Sequence, residues 1–342
     1  MKRAFLVAVL LLFVSVSFPN YRVTRSESRA PEKRRLELKV RAFPDLYFYV
    51  YKLALASDKQ TNVEGLAPAI EAARQLPFSL TPVELIAFRQ ENAAGAAKAF
   101  AEVSETYKMK SGEVVQFREK GVRFGQSLVA VEKHFLDNIW PQHKALLDKA
   151  VAHVEQTLVP KEQECFDYLT RHLGMESAEQ VVPIFLVAET PWPGGFTMWG
   201  KDATHGVCVI SVTAYQRSDL NTAILHEAIH ALDLETKGKG NVLVELEQRL
   251  LKAGFAAGDA VVRNGPHLLV FIHSSETVKR HVDPSYQPYG EGIFARPGLQ
   301  SIVKVELPNW IDYLDGKISR DEALNRMVDA FVKARGKNAP AN

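Results

Sequence analysis

Apolar positions along this chain fall into two textures. From residue 43 to about 175 they recur at helical spacing, and from 181 to 212 they condense into short runs separated by glycine and proline. Ahead of both, Leu36, Leu38 and Val40 alternate with Arg35, Glu37, Lys39 and Arg41, the pattern of a half-buried strand. Thr81-Pro82-Val83-Glu84 is a capping box with proline at the first helical position, so a helix begins there and runs towards Tyr107. Residues 113–158 read as two further long helices, with Pro141 at a start or a kink. Residues 160–173 read as another, closed by Gly174. Strands are predicted at 181–187, 196–199 and 206–212, with the Pro/Gly-rich stretch 191–195 as a turn between the first two. A helix then opens near Asp219 or Asn221 and ends at Thr236-Lys237-Gly238. Further helices are predicted over 241–255, over 266–281 with Pro266 at the first position, and over 299–335 with a fresh start at Ser319. Residues 283–292 form a loop carrying two tyrosines. The fold class expected is α+β, mainly helical, with a small mixed sheet just before one central helix.

That central helix carries the chemistry. It reads AILHEAIHALD from Ala223 to Asp233, and within it His226, Glu227 and His230 make the pattern H-E-x-x-H. At about 100° per residue, two histidines four apart lie on one helical face, so both imidazoles can meet one metal ion. Glu227 follows the first histidine and can reach a water on that ion, the position of a general base. The remaining positions are nearly all apolar, so the helix is buried, and buried histidines and glutamate need partners. A metal ion, with zinc as the expected cofactor, supplies them better than a core of plain hydrogen bonds does. Asp233, one turn beyond His230, is placed to accept a proton from a ligating imidazole.

Composition narrows the class without deciding it. The chain has 342 residues, 46% of them hydrophobic and 24% charged, with a formal net charge of +2. These are values of an ordinary globular protein, and no global basic field points to nucleic acid. Lys2 and Arg3 precede an uncharged apolar run over 4–18, too short for a bilayer span, with small residues at 15–17. This is the pattern of a secretory signal peptide cleaved after Ser17, and it implies export to a periplasm or the medium without stable membrane insertion. An uncleaved N-terminal anchor is the other reading. Cys165 and Cys208 are the two cysteines, and their spacing suggests neither metal binding nor redox chemistry.

A catalytic zinc needs a third protein ligand. Both cysteines lie upstream of the helix, and the three-histidine extension of the motif is absent because residue 236 is threonine. A glutamate from a later helix is the default, and Glu245 and Glu247 are imperfectly spaced for it. The run HLLVFIHSSETVKR from His267, followed by Asp283-Pro284-Ser285-Tyr286-Gln287-Pro288-Tyr289, resembles a poorly characterised group of exported bacterial H-E-x-x-H proteins. These look like zinc metallohydrolases of the gluzincin type. The resemblance spans about residues 181–289, and it departs from the pattern at Ser275, where glycine is expected before the glutamate. It implies Glu276 as the third ligand, with Glu291 in reserve. It also favours Tyr286 or Tyr289 as the group that steadies the oxyanion, and His267 and His273 are further candidates. His267 and Glu276 are nine residues apart, half a turn out of phase, so one straight helix cannot aim both at the same ion.

The expected organisation is a signal peptide over 1–17, a flexible lead-in over 18–34, a mainly helical region over 35–175, a zincin-like region over 176–336, and a tail over 337–342. The expected activity is that of a zinc metallopeptidase acting on a peptide or protein substrate, with Glu227 as base. A non-catalytic exported zinc-binding or assembly protein is the competing expectation, although it has no use for Glu227.

Overall fold

Four short strands form the mixed sheet on which the rest is arranged. They are β1 (Leu36–Lys39), β4 (Val182–Val187), β5 (Gly195–Met198) and β6 (Val207–Ser211), side by side in the order β1-β4-β6-β5. β1, β4 and β6 are parallel, and β5 is an antiparallel edge on β6. The computed structural model describes residues 34–337. Excepted are 57–62, 64, 77–85, 104, 109–113, 176–180, 192–193, 199–205, 216–217, 237–240 and 290–291, and the side chains at 115, 233–236 and 337. The leader, most of the lead-in, the capping box at Thr81 and the side chain of Asp233 therefore lie outside the described residues.

The unbroken apolar runs of β4 and β6 follow from burial on both faces. Ile184, Leu186, Cys208 and Ile210 point into one core, and Phe185, Val187 and Val209 point into the other. The second core is closed by α1 (Ala42–Leu55), α2 (Ala67–Arg74), α3 (Ala93–Glu102) and α4 (Phe117–Asn138), which contribute Phe43, Phe48, Phe100, Phe124 and Phe135. The first is closed by α5 (Trp140–Thr157), α6 (Glu162–Leu173), α7 (Ser218–Thr236), α8 (Val242–Lys252), α9 (Ala260–Thr277), α10 (Gln300–Leu314) and α11 (Arg320–Lys337). Arg34–Asn342 make one compact unit, with β1 from the N-terminal part pairing with β4. Asp45 on α1 ties the two sides together. Its fully buried carboxylate accepts from the Ala188 N–H at the end of β4 (2.6 Å) and lies 2.6 Å from His143 Nδ1 on α5. Among the described residues, no helix is long and apolar enough to cross a membrane.

Three local expectations are corrected. The helix expected to run to Tyr107, and the next expected from Glu113, give way to a hairpin of β2 (Thr106–Lys108) and β3 (Val114–Gln116). The β-branched and aromatic residues there favour strands once they can pair. Pro141 sits in the first turn of α5, as expected for a start. Pro266, by contrast, is not a helix start. It lies inside α9, which begins at Ala260 and passes after Thr277 into a π-helical turn, Val278–Val282. Lacking an N–H, Pro266 leaves the Val262 carbonyl without its helical donor. Beside it, Glu306 of α10 lies so close to Gly265 that a Cβ there would stand 2.7 Å from Glu306 Oε1. Glycine at 265 is what lets α10 pack along α9.

Glu306 is fully buried, and neither carboxyl oxygen has a hydrogen-bond partner among the described residues. Burial holds its pKa well above the usual carboxylate value. The folded state therefore keeps this proton at pH values where the unfolded chain has released it, and stability must fall as pH rises above the ordinary glutamate range. Glu306→Gln keeps the shape and cannot ionise. It is expected to change stability little near pH 5 and to raise it by about 1–3 kcal/mol at pH 8, measured by denaturant unfolding at both pH values. A pH-independent difference between the two proteins would contradict this account.

Candidate metal centre

The buried helix α7 packs against β5, β6 and α9. Ile224, Leu225, Ala228 and Ile229 are fully buried along it, which fixes its rotation and thereby the aim of the polar residues between them. His226 is buried, His230 is half-buried, and His267 of α9 stands more exposed beside them. His226 Nε2 lies 3.0 Å from His267 Nε2 and 3.1 Å from His230 Nε2. Phe271, one turn after His267 on α9, stacks on His226 with ring centroids 3.6 Å apart and holds that imidazole flat.

Three neutral imidazoles meeting through the same nitrogen cannot all be satisfied by one another. Each Nε2 is either a donor or an acceptor, and the central one, with a single N–H or a single lone pair, can satisfy only one of its two neighbours. Desolvation makes protonation a poor remedy. Burial, with the neighbouring rings adding to it, pulls His226 well below the usual histidine value and His230 down to about 4, and burial lowers His267 as well. The lone pairs are therefore free at neutral pH. Three imidazole donors and one open position suit a divalent cation such as zinc. The donor set fits a metal on chemical grounds.

Glu227 points from the same helix into the same space. Its Oε1 is 3.9 Å from His226 Nε2, beyond direct hydrogen-bond reach and close enough to share a water with it. Its other oxygen is held by Thr197 of β5, whose hydroxyl lies 2.8 Å from Glu227 Oε2 and 2.9 Å from the Glu227 carbonyl. Cys208 Sγ, on β6, sits 3.3 Å from that same carbonyl. Burial lifts the Glu227 carboxyl to about 7, and the Thr197 hydrogen bond works against the rise. A carboxyl near 7 can both take and return a proton at neutral pH. A cleft of about 630 Å³ opens over these groups, and its walls include Gly195 of β5, Tyr215, Asp219, Phe271 and Tyr286.

The residues singled out in the sequence separate into two places. His226, Glu227, His230 and His267 are together. Glu276, expected as the third ligand, is on the opposite side of α9, where its buried carboxylate accepts from Tyr289 Oη (2.9 Å) and Arg280 Nε (3.0 Å). Nine residues of helix turn His267 and Glu276 half a revolution apart, and His267 is the one turned to α7. Tyr289 thus faces Glu276, away from the histidines. Tyr286 does line the cleft, with its hydroxyl donating to Asp219 (2.6 Å) and accepting from Thr222 (3.2 Å). His273 is a core residue: its Nδ1 accepts from Trp310 Nε1 (3.1 Å), its ring stacks on Tyr168, and burial drops its pKa to about 3. Glu245 pairs with Arg249 and Arg320, Glu247 is exposed on α8, and Glu291 lies outside the described residues. Cys165 and Cys208 are both free and buried.

Sequence reasoning did not single out Thr197, Phe271 or Tyr215. Thr197 lies in a strand that was anticipated, but which of its side chains faces the helix depends on the register of β5 on β6. Phe271 had a visible signal in its spacing, four residues after His267. Comparison of the chain with protein-family models, with curated proteins and with solved structures returned no match.

If the three imidazoles hold a zinc ion, His267→Ala would remove a direct ligand and weaken its binding by about 100-fold or more, since loss of even an outer partner costs 10–100-fold. Glu276→Gln is expected to leave zinc affinity unchanged and to lower thermal stability, because it disrupts a buried ion pair. Calorimetric zinc titration of the two variants separates these roles, and loss of zinc binding in Glu276→Gln alone would reverse the assignment.

Proposed function

We propose that this chain is a zinc-dependent hydrolase of the zincin type, most directly a metallopeptidase. The observation that carries this is Glu227, a buried carboxyl poised 3.9 Å from a converging imidazole and held by Thr197 at the floor of an open cleft. A metal site built only for stability has no need of a base in that position, nor of a cleft leading to it. The exposure of His267 at the cleft favours a site that substrate can reach.

His226, His230 and His267 would hold the zinc, which when bound would supply Lewis acidity and lower the pKa of a water at the site towards neutrality. Glu227 Oε1 accepts that proton and delivers it to the leaving amine. Thr197 keeps the carboxyl in one orientation, so the lone pair needed for the transfer faces the histidines. Among the described residues β5 pairs on its β6 side alone and its start lines the cleft, so an extended peptide can add to its other edge as a further strand. The hydroxyl of Tyr215 makes no side-chain hydrogen bond among the described residues. It can donate to a developing oxyanion, whereas the Tyr286 proton is committed to Asp219. The same proposal takes residues 1–17 as an export signal, which would bring the protein to peptide substrates outside the cytoplasm.

Zinc-loaded protein is expected to hydrolyse casein or a quenched peptide mixture, and Glu227→Gln to lose about 10²–10⁴-fold in rate while retaining equal zinc by elemental analysis. Thr197→Val is expected to keep its zinc and lose about tenfold. Full zinc in both wild type and Glu227→Gln, with no hydrolysis by either on a broad peptide library, would favour the non-catalytic zinc protein.

A further inference from the structure

Within the cleft one side chain has no assigned work. Arg296 lines it and is the single lysine or arginine among the described residues that do so. It is exposed, and it makes no ion pair or side-chain hydrogen bond among the described residues. The acidic side chains of the same walls are engaged: Asp219 accepts from Tyr286, and Glu227 from Thr197. An unpaired guanidinium beside two occupied carboxylates leaves this part of the cleft with a cation to satisfy.

Its place relative to β5 gives it a direction. The chain enters β5 through Gly194, whose φ of +107° and whose contact with the Tyr215 ring leave no room for a side chain; a Cβ there would be 1.9 Å from Tyr215 Oη. Arg296 is near enough to Tyr215 for its charge to act on that hydroxyl. Arg296 therefore shares the cleft wall with Tyr215 and Gly194, on the side where the chain enters β5. Glu227 lies further along the strand, between Gly195, where a Cβ would touch Glu227 Cγ at 3.2 Å, and Thr197. A peptide added antiparallel to β5, the more stable pairing, runs from the Met198 end to the Gly195 end. The part of it that continues past Glu227 towards Gly194 is the part on the C-terminal side of the reacting bond.

We infer that Arg296 is a specificity residue that selects peptides bearing a carboxylate just C-terminal to the cleaved bond, as an acidic side chain or as the free chain terminus. Guanidinium and carboxylate pair through two parallel hydrogen bonds, so the interaction orients the leaving segment as well as attracting it. The inference rests on the proposed peptidase function for the identity of the ligand, while its test does not need turnover.

Binding is measured by calorimetry on zinc-loaded Glu227→Gln with three pentapeptides of one sequence. One carries Glu at the fourth position with an amidated end, one Gln with an amidated end, and one Gln with a free carboxylate. At least one carboxylate peptide is expected to bind about fivefold tighter than the neutral one, the scale of a partly exposed pair. The advantage is expected to vanish in Arg296→Gln and to invert in Arg296→Glu, and the preferred carboxylate peptide tells side chain from terminus. Equal binding of all three peptides, no binding of any, or a preference that survives Arg296→Gln would overturn the assignment. Hydrolysis by the protein with Glu227 intact separates the two levels. Cleavage of all three with equal kcat/KM leaves the peptidase and removes the role of Arg296. An Arg296-dependent binding preference without any cleavage keeps the carboxylate site and removes the peptidase.

Discussion

Desolvation of three imidazoles in one corner is the constraint on which the rest of this structure depends. An isolated buried histidine can have a ring nitrogen met by one carbonyl or one indole, as His273 Nδ1 is by Trp310. Three whose Nε2 atoms meet at about 3 Å are not, and burial denies them the positive charge that would otherwise relieve the conflict. Holding them there demands rigid elements. α7 is gripped nearly all round by apolar contacts, and α9, which packs against it, is backed by α10 through a close approach that requires a glycine at 265. The unpaired carboxyl of Glu306 marks part of the cost of that packing.

The sheet serves the same corner in a different way. Its two faces are buried in different cores, so the central strands β4 and β6 are mostly apolar, and polar side chains appear on the edge strands, on β1 and where β5 passes over α7. Thr197 is the point of contact. One hydroxyl on β5 reaches both the side chain and the main chain of Glu227, so the orientation of the proposed base is set by the strand register and not by its own helix alone. Gly194 and Gly195 bring the start of β5 into the wall of the cleft that Tyr215 and Arg296 also line.

Much of the fold was legible in the chain. The strands at 182–187, 195–198 and 207–211 and the limits of α7 fall within a residue or two of the sequence expectation, because each is a local pattern bounded by its own turn residues. The hairpin at 106–116 was not, since strands of three residues carry almost no periodicity and become strands only by pairing. Nor was the run of helix before Pro266, where proline reads locally as a beginning.

What the sequence by itself determined is the chemistry of α7. His226 and His230 must share a face and Glu227 must flank it, because helix geometry relates positions four and one apart without help from the rest of the molecule. It also determined that His267 and Glu276 could not both join them. Which of the two does was decided only by the tertiary structure. Residues 37 and 46 positions beyond His230 have no local relation to α7, and either face of α9 could have been turned to it. The packing of α9 between α7 and α10 selects the face with His267 and sends Glu276 to Arg280 and Tyr289. A choice of that kind belongs to the assembled core, where a helix has one rotation that buries its apolar side, and no window of sequence contains it.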